Sequence, residues 1–118
     1  MKEEVDLDLE MLPEFYGTQH YYNVMGILVT DGIKYIMENG YSWFVTDAIV
    51  LIKMKKRLKN QDFLSIRLKT DREAKTAMMI IDDGNDKVLY KQKYTYTDAK
   101  RDLTLFYCDN VLMLASEY

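Results

Sequence analysis

One histidine, His20, and one cysteine, Cys108, are all the imidazole and thiol that the 118 residues carry. A Ser-His-Asp or Cys-His centre would have to be built on His20 alone, and a four-ligand zinc site of cysteine and histidine cannot be assembled. A lone cysteine excludes an intramolecular disulfide. Proline occurs once, at Pro13, and no repeat or low-complexity linker divides the chain. Apolar runs such as Ala48–Ile52 fall far short of a membrane span. The start, Met1-Lys2-Glu3-Glu4, lacks the basic-then-apolar layout of a signal peptide. These absences lead us to expect a cytoplasmic protein with no membrane contact, no metal and no cofactor.

What is present suits a single folded domain. Hydrophobic residues make up 48% and charged residues 30%, enough apolar material to bury one core. The net charge of −3 is unevenly divided: residues 1–50 hold nine acidic and two basic side chains, whereas residues 51–118 hold ten acidic and fourteen basic. Residues 1–14 read as an acidic arm in which Val5, Leu7 and Leu9 alternate with acids, and residues 15–118 as one domain.

Within that domain Thr18 is placed as the cap of a short helix running through Met25. Thr30-Asp31-Gly32 opens a second helix that Gly40 stops, and Ser42 caps a third running to about Asn60. Beyond Gln61 the apolar period falls from about 3.6 to 2. Leu64, Ile66 and Leu68 then alternate with Ser65, Arg67 and Lys69. Further strands are expected over Thr76–Ile81, Lys87–Tyr96, Leu103–Cys108 and Val111–Ala115, the last two joined by a tight Asp109-Asn110 turn. The predicted fold class is therefore α+β, with N-terminal helices packed on one face of a five-stranded antiparallel meander.

Four blocks carry a resemblance: Phe15-x-Gly17-Thr18-x-x-Tyr21-Tyr22, Thr30-Asp31-Gly32-Ile33-Lys34-Tyr35, Trp43-x-x-x-Asp47-Ala48-Ile49 and Val111-Leu112-Met113-Leu114-x-Ser116-Glu117-Tyr118. In order and spacing they resemble a small bacterial and phage family catalogued only as a domain of unknown function. The resemblance covers Phe15 to Tyr118. It implies a free-standing domain met on mobile elements, with no established activity. Asn23 and Val24 stand where that family tends to have Arg-His, and Val50, Leu51 and Ile52 replace its usual polar residues. Histidine chemistry is thus not expected of this member.

The candidate residues fall into three groups. Asp47 lies in the apolar half of the third helix, where an unpaired carboxylate is costly to bury, so it is expected to anchor a hydrogen bond to Lys34 or a tyrosine hydroxyl. Thr30 and Asp31 are read as capping groups. Lys53, Lys55, Lys56, Arg57 and Lys59 form the foremost nucleic-acid candidate, although a sequence pI near 5.1 weighs against a dedicated binder. Tyr16, Tyr21, Tyr22, Tyr90, Tyr94 and Tyr96, out of ten tyrosines, suit an interface, because tyrosine gives large contact area at small entropic cost.

The composite expectation is a non-catalytic interaction protein whose partner is a protein or a protein–nucleic acid complex. The association with mobile elements that the resemblance implies suggests an inhibitor of a host defence nuclease, in the manner of anti-CRISPR proteins. A regulatory single-stranded nucleic-acid binder ranks second. A carboxylate-only enzyme using Asp31, Asp47 or Glu38 ranks third, and the sequence also admits a homodimer.

Overall fold

The computed structural model describes residues 17–99 and 101–118. The acidic arm read at 1–14, and with it Tyr16, lies outside the described residues. The chain begins with a hairpin: β1 (Tyr21–Val24) and β2 (Ile27–Thr30) pair antiparallel, with Tyr22 opposite Val29 and Val24 opposite Ile27. Met25 and Gly26, at φ 54° and 90°, form the two-residue turn whose left-handed backbone matches strand twist. The helix expected from Thr18 to Met25 is therefore corrected to a strand and turn. Burial along β1 alternates with period 2, and Asn23 Oδ1 accepts from Gly26 N to close the turn.

From Thr30 the chain enters α1 (Asp31–Ile36), passes a wide turn over Met37–Tyr41, and continues as α2 (Ser42–Met54) and the short α3 (Lys56–Lys59). Gly40 at φ 102° makes the break between α1 and α2, as its position suggested. Ser42 does not cap: it is already helical at φ −59°, and the residue before it, Tyr41, offers no side-chain cap. The third helix also ends sooner than expected. Lys55 adopts an extended backbone, and α3 turns so that Leu58 is fully buried.

Among the described residues the sheet has seven strands, not five. β3 (Leu64–Asp71), β4 (Thr76–Asp82) and β5 (Val88–Tyr94) form the meander, while β6 (Leu103–Cys108) and β7 (Val111–Leu114) lie on the other side of β3. The full order is β1-β2-β7-β6-β3-β4-β5. β2 runs parallel to β7, with Leu28 opposite Val111 and Val29 opposite Leu112, so the sheet is mixed. Asn110 in the β6–β7 turn fastens that junction: Leu28 N donates to its carbonyl at 3.0 Å, and its Nδ2 donates to Gly26 O at 3.0 Å.

Register divides the side chains into two faces. Val29, Leu112, Leu114, Leu105, Leu103, Ile66, Leu68, Met79 and Ile81 line one face, and all are buried. Against them lie Ile33 and Ile36 of α1 and Phe44, Val45, Ala48, Ile49 and Ile52 of α2. Each fully buried aliphatic or Phe side chain contributes roughly 1.5–3 kcal/mol, so this single layer of helix on sheet supplies the stability.

The chain's end is bound to the start of α1. A turn over Ala115–Glu117 carries the Glu117 carboxylate to the helix N-terminus. There Oε1 accepts from Thr30 Oγ1 at 2.6 Å and from Leu114 N at 2.9 Å, and Oε2 accepts from Gly32 N at 3.1 Å. Thr30 Oγ1 in turn accepts from Ile33 N, as an N-cap does. Gly32 is required by closeness: a Cβ there would lie 2.6 Å from Glu117 Oε1 and 2.7 Å from Leu114 Cδ1. Gly32→Ala should therefore cost on the order of 1–3 kcal/mol in urea denaturation, because the carboxylate it displaces is held by three donors. In a Glu117→Ala background the same substitution should cost measurably less. Equal costs in both backgrounds would show that the glycine does not serve this contact.

Candidate functional site

Three places gather functional side chains. The first surrounds the N-terminus of α1. Asp31 Oδ2 accepts from Gln19 N at 3.0 Å and Oδ1 from the Tyr22 hydroxyl at 3.0 Å. Thr18 Oγ1 accepts from Asp31 N at 2.9 Å and donates to His20 O at 2.7 Å. His20 Nδ1 lies 3.9 Å from Asp31 Oδ1, and the ring is 69% exposed. Lys34 sits 4.7 Å above the Tyr22 ring and pairs with Glu38 at 3.2 Å.

The Gln19 N–H, more than any other neighbour, holds the Asp31 carboxyl below the ordinary carboxylate range, and the Tyr22 hydroxyl adds to this. Its hydrogen bond to Asp31 pushes the Tyr22 phenol up. An ionised Asp31 with spent acceptors is a poor general acid, and the raised phenol a poor base. The cluster therefore fastens the chain before β1 to α1; Thr30 sits at the N-cap of α1, while the Asp31 carboxylate accepts from groups outside that helix.

The second place joins α2 to the edge strand β5. Asp47 Oδ2 accepts from the Tyr94 hydroxyl at 2.8 Å. The Trp43 ring meets Tyr94 edge-on, with centroids 5.0 Å apart, and its Nε1 donates to Gly40 O at 2.9 Å. Burial, reinforced by Asp47, drives the Tyr94 phenol far above its ordinary value. Of the two partners expected for Asp47, the tyrosine is the one present; Lys34 is engaged by Glu38. Asp47 itself is half-buried, at the margin of the core.

The expected tyrosine surface is dispersed. Tyr21 and Tyr96 are exposed, at 55% and 70%. Tyr22, Tyr90 and Tyr94 face the helices and are half-buried; Tyr90 lies opposite Ile81 and Tyr94 opposite Ala77. Tyr96 falls beyond the end of β5. The basic stretch is also partly committed to the fold. Lys53 Nζ donates to Met25 O at 2.7 Å and Lys55 lies over the Tyr90 ring, while Lys56, Arg57 and Lys59 remain exposed on α3.

The third place was not singled out from the sequence: the sheet face opposite the helices. Among the described residues no helix covers it. Register sets two halves side by side. Leu28, Val111, Cys108, Met113 and Phe106 form an apolar half, completed by Phe63 and by Tyr118. The rings of Phe63, Phe106 and Tyr118 meet pairwise at 5.0–5.5 Å, and Tyr118 is 73% exposed.

The other half holds Arg67, Lys69, Lys91 and Lys93 around Met78 and Ile80. Arg67 Nη2 donates to Asp82 Oδ2 at 3.1 Å, yet its buried Nε has no acceptor among the described residues. One signal in the sequence pointed here. β6 is apolar on both of its faces, with Phe106 and Cys108 alternating with Leu105 and Tyr107. Cys108 is an inert member of this surface, since burial and the neighbouring Asp109 push its thiol up.

Elsewhere, a hollow of about 50 Å³ lined by Arg72, Lys75, Thr97, Asp98 and Ala99 has room for water and not for a substrate. Among the described residues no group of three His, Cys, Asp or Glu side chains could hold a metal ion. No described helix is long and apolar enough to cross a membrane.

These features define a small mixed α/β protein with one helix-covered sheet face and one face that no helix covers among the described residues. The chain belongs to the family of unknown function DUF6876, whose family model matches residues 7–118. No curated protein and no solved structure matches it. Three of the four blocks named above, those containing Thr18 and Tyr22, Thr30 to Gly32, and Glu117, converge on the N-terminus of α1.

Two predictions follow from this geometry. Tyr94→Phe removes one hydrogen bond to a half-exposed carboxylate and should cost about 1–2 kcal/mol, read by chemical denaturation. Loss of less than about 0.3 kcal/mol would show that Asp47 is satisfied by solvent. The second concerns acid. Because the folded state holds the Asp31 carboxyl below its unfolded value, its contribution is complete above the unfolded pKa and is lost as pH falls through the lower folded one. The melting-point gap between wild type and Asp31→Asn should stay constant from neutral pH to about 5 and close below about 4. A gap that does not change with pH would mean that those donors do not hold the carboxylate.

Proposed function

We propose that this protein is a non-catalytic interaction protein that engages a macromolecular partner through the helix-free face of its sheet. One observation carries the reading: that face combines aromatic and aliphatic side chains with three lysines, Lys69, Lys91 and Lys93, that make no ion pair among the described residues. Contiguous apolar surface beside unpaired charge is characteristic of contact surfaces, and aromatic residues, Met and Arg are enriched there. The two polar clusters with perturbed groups are both consumed in joining elements of the fold, which supports binding over catalysis.

A narrower version is an inhibitor of a host defence nuclease. Its support is the resemblance to a family met on mobile elements, together with the acids of residues 1–14, which would steer the protein toward a basic cleft.

The test is site-specific photo-crosslinking in the host. A photoreactive residue at Ile80 or Val111 should capture a defined partner, and one at Val50 or Met54, which are exposed on α2, should not. Capture from the helix side alone would sink the reading. Expression in a host carrying a nuclease-based defence should raise the plating efficiency of a targeted phage. Unchanged plating alongside persistent face crosslinks would remove the narrower version and leave the broader one.

A further inference from the structure

We infer that the partner of the helix-free face is a single-stranded nucleic acid, with phosphates at Lys69, Lys91 and Lys93 and bases on the Phe106–Tyr118 aromatic cluster. This rests on that face being the contact surface. Register fixes the geometry. Arg67, Ile80 and Lys91 lie in one cross-strand row, and Lys69, Met78 and Lys93 in the next. Strand spacing and rise then put the four cations at the corners of a patch about 10 Å by 7 Å. One row further, Phe106 and Asp82 flank Ser65, and Tyr118 and Phe63 stand against Phe106. A chain crossing the face therefore meets cations first and aromatic rings next, the combination that holds unpaired bases and their backbone.

Charge favours an anionic partner. The one acid within these rows, Asp82, is already paired with Arg67, and the guanidinium keeps a buried Nε without an acceptor among the described residues. Residues 1–16 hold one lysine and six acids, so the remaining 102 residues carry fifteen basic and thirteen acidic side chains, a balance of +2 hidden by the whole-chain value of −3. Aromatic rings separate nucleic acid from an acidic polypeptide, which has no base to stack. The basic stretch on α2 and α3 is less suited, since Lys53 and Lys55 are occupied and, among the described residues, Lys56, Arg57 and Lys59 make no cation–ring contact.

The experiment is fluorescence anisotropy with labelled dT15 and rU15 on the full chain, and poly-glutamate as competitor. Each phosphate contact lowers log K by about 0.7 per decade of salt, so three contacts predict roughly 20-fold weaker binding between 50 and 200 mM salt. Lys91→Glu with Lys93→Glu should weaken binding at least tenfold. Tyr118→Ala, at an exposed chain end, should weaken it by on the order of tenfold through lost stacking. Lys56→Glu with Lys59→Glu should change it less than threefold.

Absence of binding at 50 mM salt up to 100 µM protein would overturn the proposal. So would loss of binding with the helix-side pair instead of the face pair. Poly-glutamate competing as well as dT15, with Tyr118→Ala neutral, would reassign the face to an acidic polypeptide. Failure here alongside face-directed crosslinks to a protein would leave the interaction reading standing; face positions that crosslink to nothing would remove both.

Discussion

A helix N-terminus exposes backbone N–H groups that must be satisfied, and in this protein a carboxylate from the far end of the chain, Glu117, satisfies one of them. It accepts from Gly32 N and from the Thr30 hydroxyl while holding Leu114 N. Much else depends on that contact. Leu114 ends β7, Thr30 ends β2, and the carboxylate binds both, so it closes the parallel β2–β7 pair at its C-terminal end. Asn110 does the same at the other end through Gly26 and Leu28. A two-residue register, Leu28 with Val111 and Val29 with Leu112, is thereby held at both ends by side chains.

The same junction explains why Thr18, Tyr22, Asp31 and Gly32 occur as they do. Asp31 gathers the backbone before β1 and the Tyr22 hydroxyl, and Gly32 leaves space for Glu117. Without a Cβ at residue 32 the carboxylate can approach the helix backbone directly. Asp47 repeats the device at the opposite edge, tying α2 to β5 through Tyr94. Polar side chains thus fix where the helix layer sits, and apolar side chains fill what it covers. That division is why the perturbed groups lie at element junctions and not in a cleft.

Local signals were legible and distant ones were not. The period-2 alternation of Leu64, Ile66 and Leu68, the limits of β6, the stop at Gly40 and the Asp109-Asn110 turn, both residues at positive φ, depend on neighbours in the chain. The hairpin at Tyr21–Thr30 was missed because Thr18 and Gly26 are equally good helix punctuation. Its decisive partner, β7, lies more than 80 residues away. The place of β6 beside β3 is likewise invisible locally, since a chain leaving β5 could as readily have continued the meander. At the candidate sites, Asp47 was legible because an acid in an apolar helix demands a donor. The open face was not, because its members come from six strands and meet only through register.

Not every feature of that face calls for a partner. β5 is an edge strand, and exposed lysines there oppose pairing with another sheet, so Lys91 and Lys93 are explicable by protection alone. Lys69 is not, for β3 lies two strands in, between β6 and β4. Nor is the aromatic cluster. Phe106 sits on the second strand from β2 and gains nothing from edge protection, while Tyr118 leaves most of its ring in water. A sheet that needed only to fold would place polar side chains on its uncovered face, as Thr104 does. Leu28, Val111, Met113 and Phe106 on the same face are half-buried and stand outside the helix-covered core, which is the reason that face is the one proposed as a contact surface.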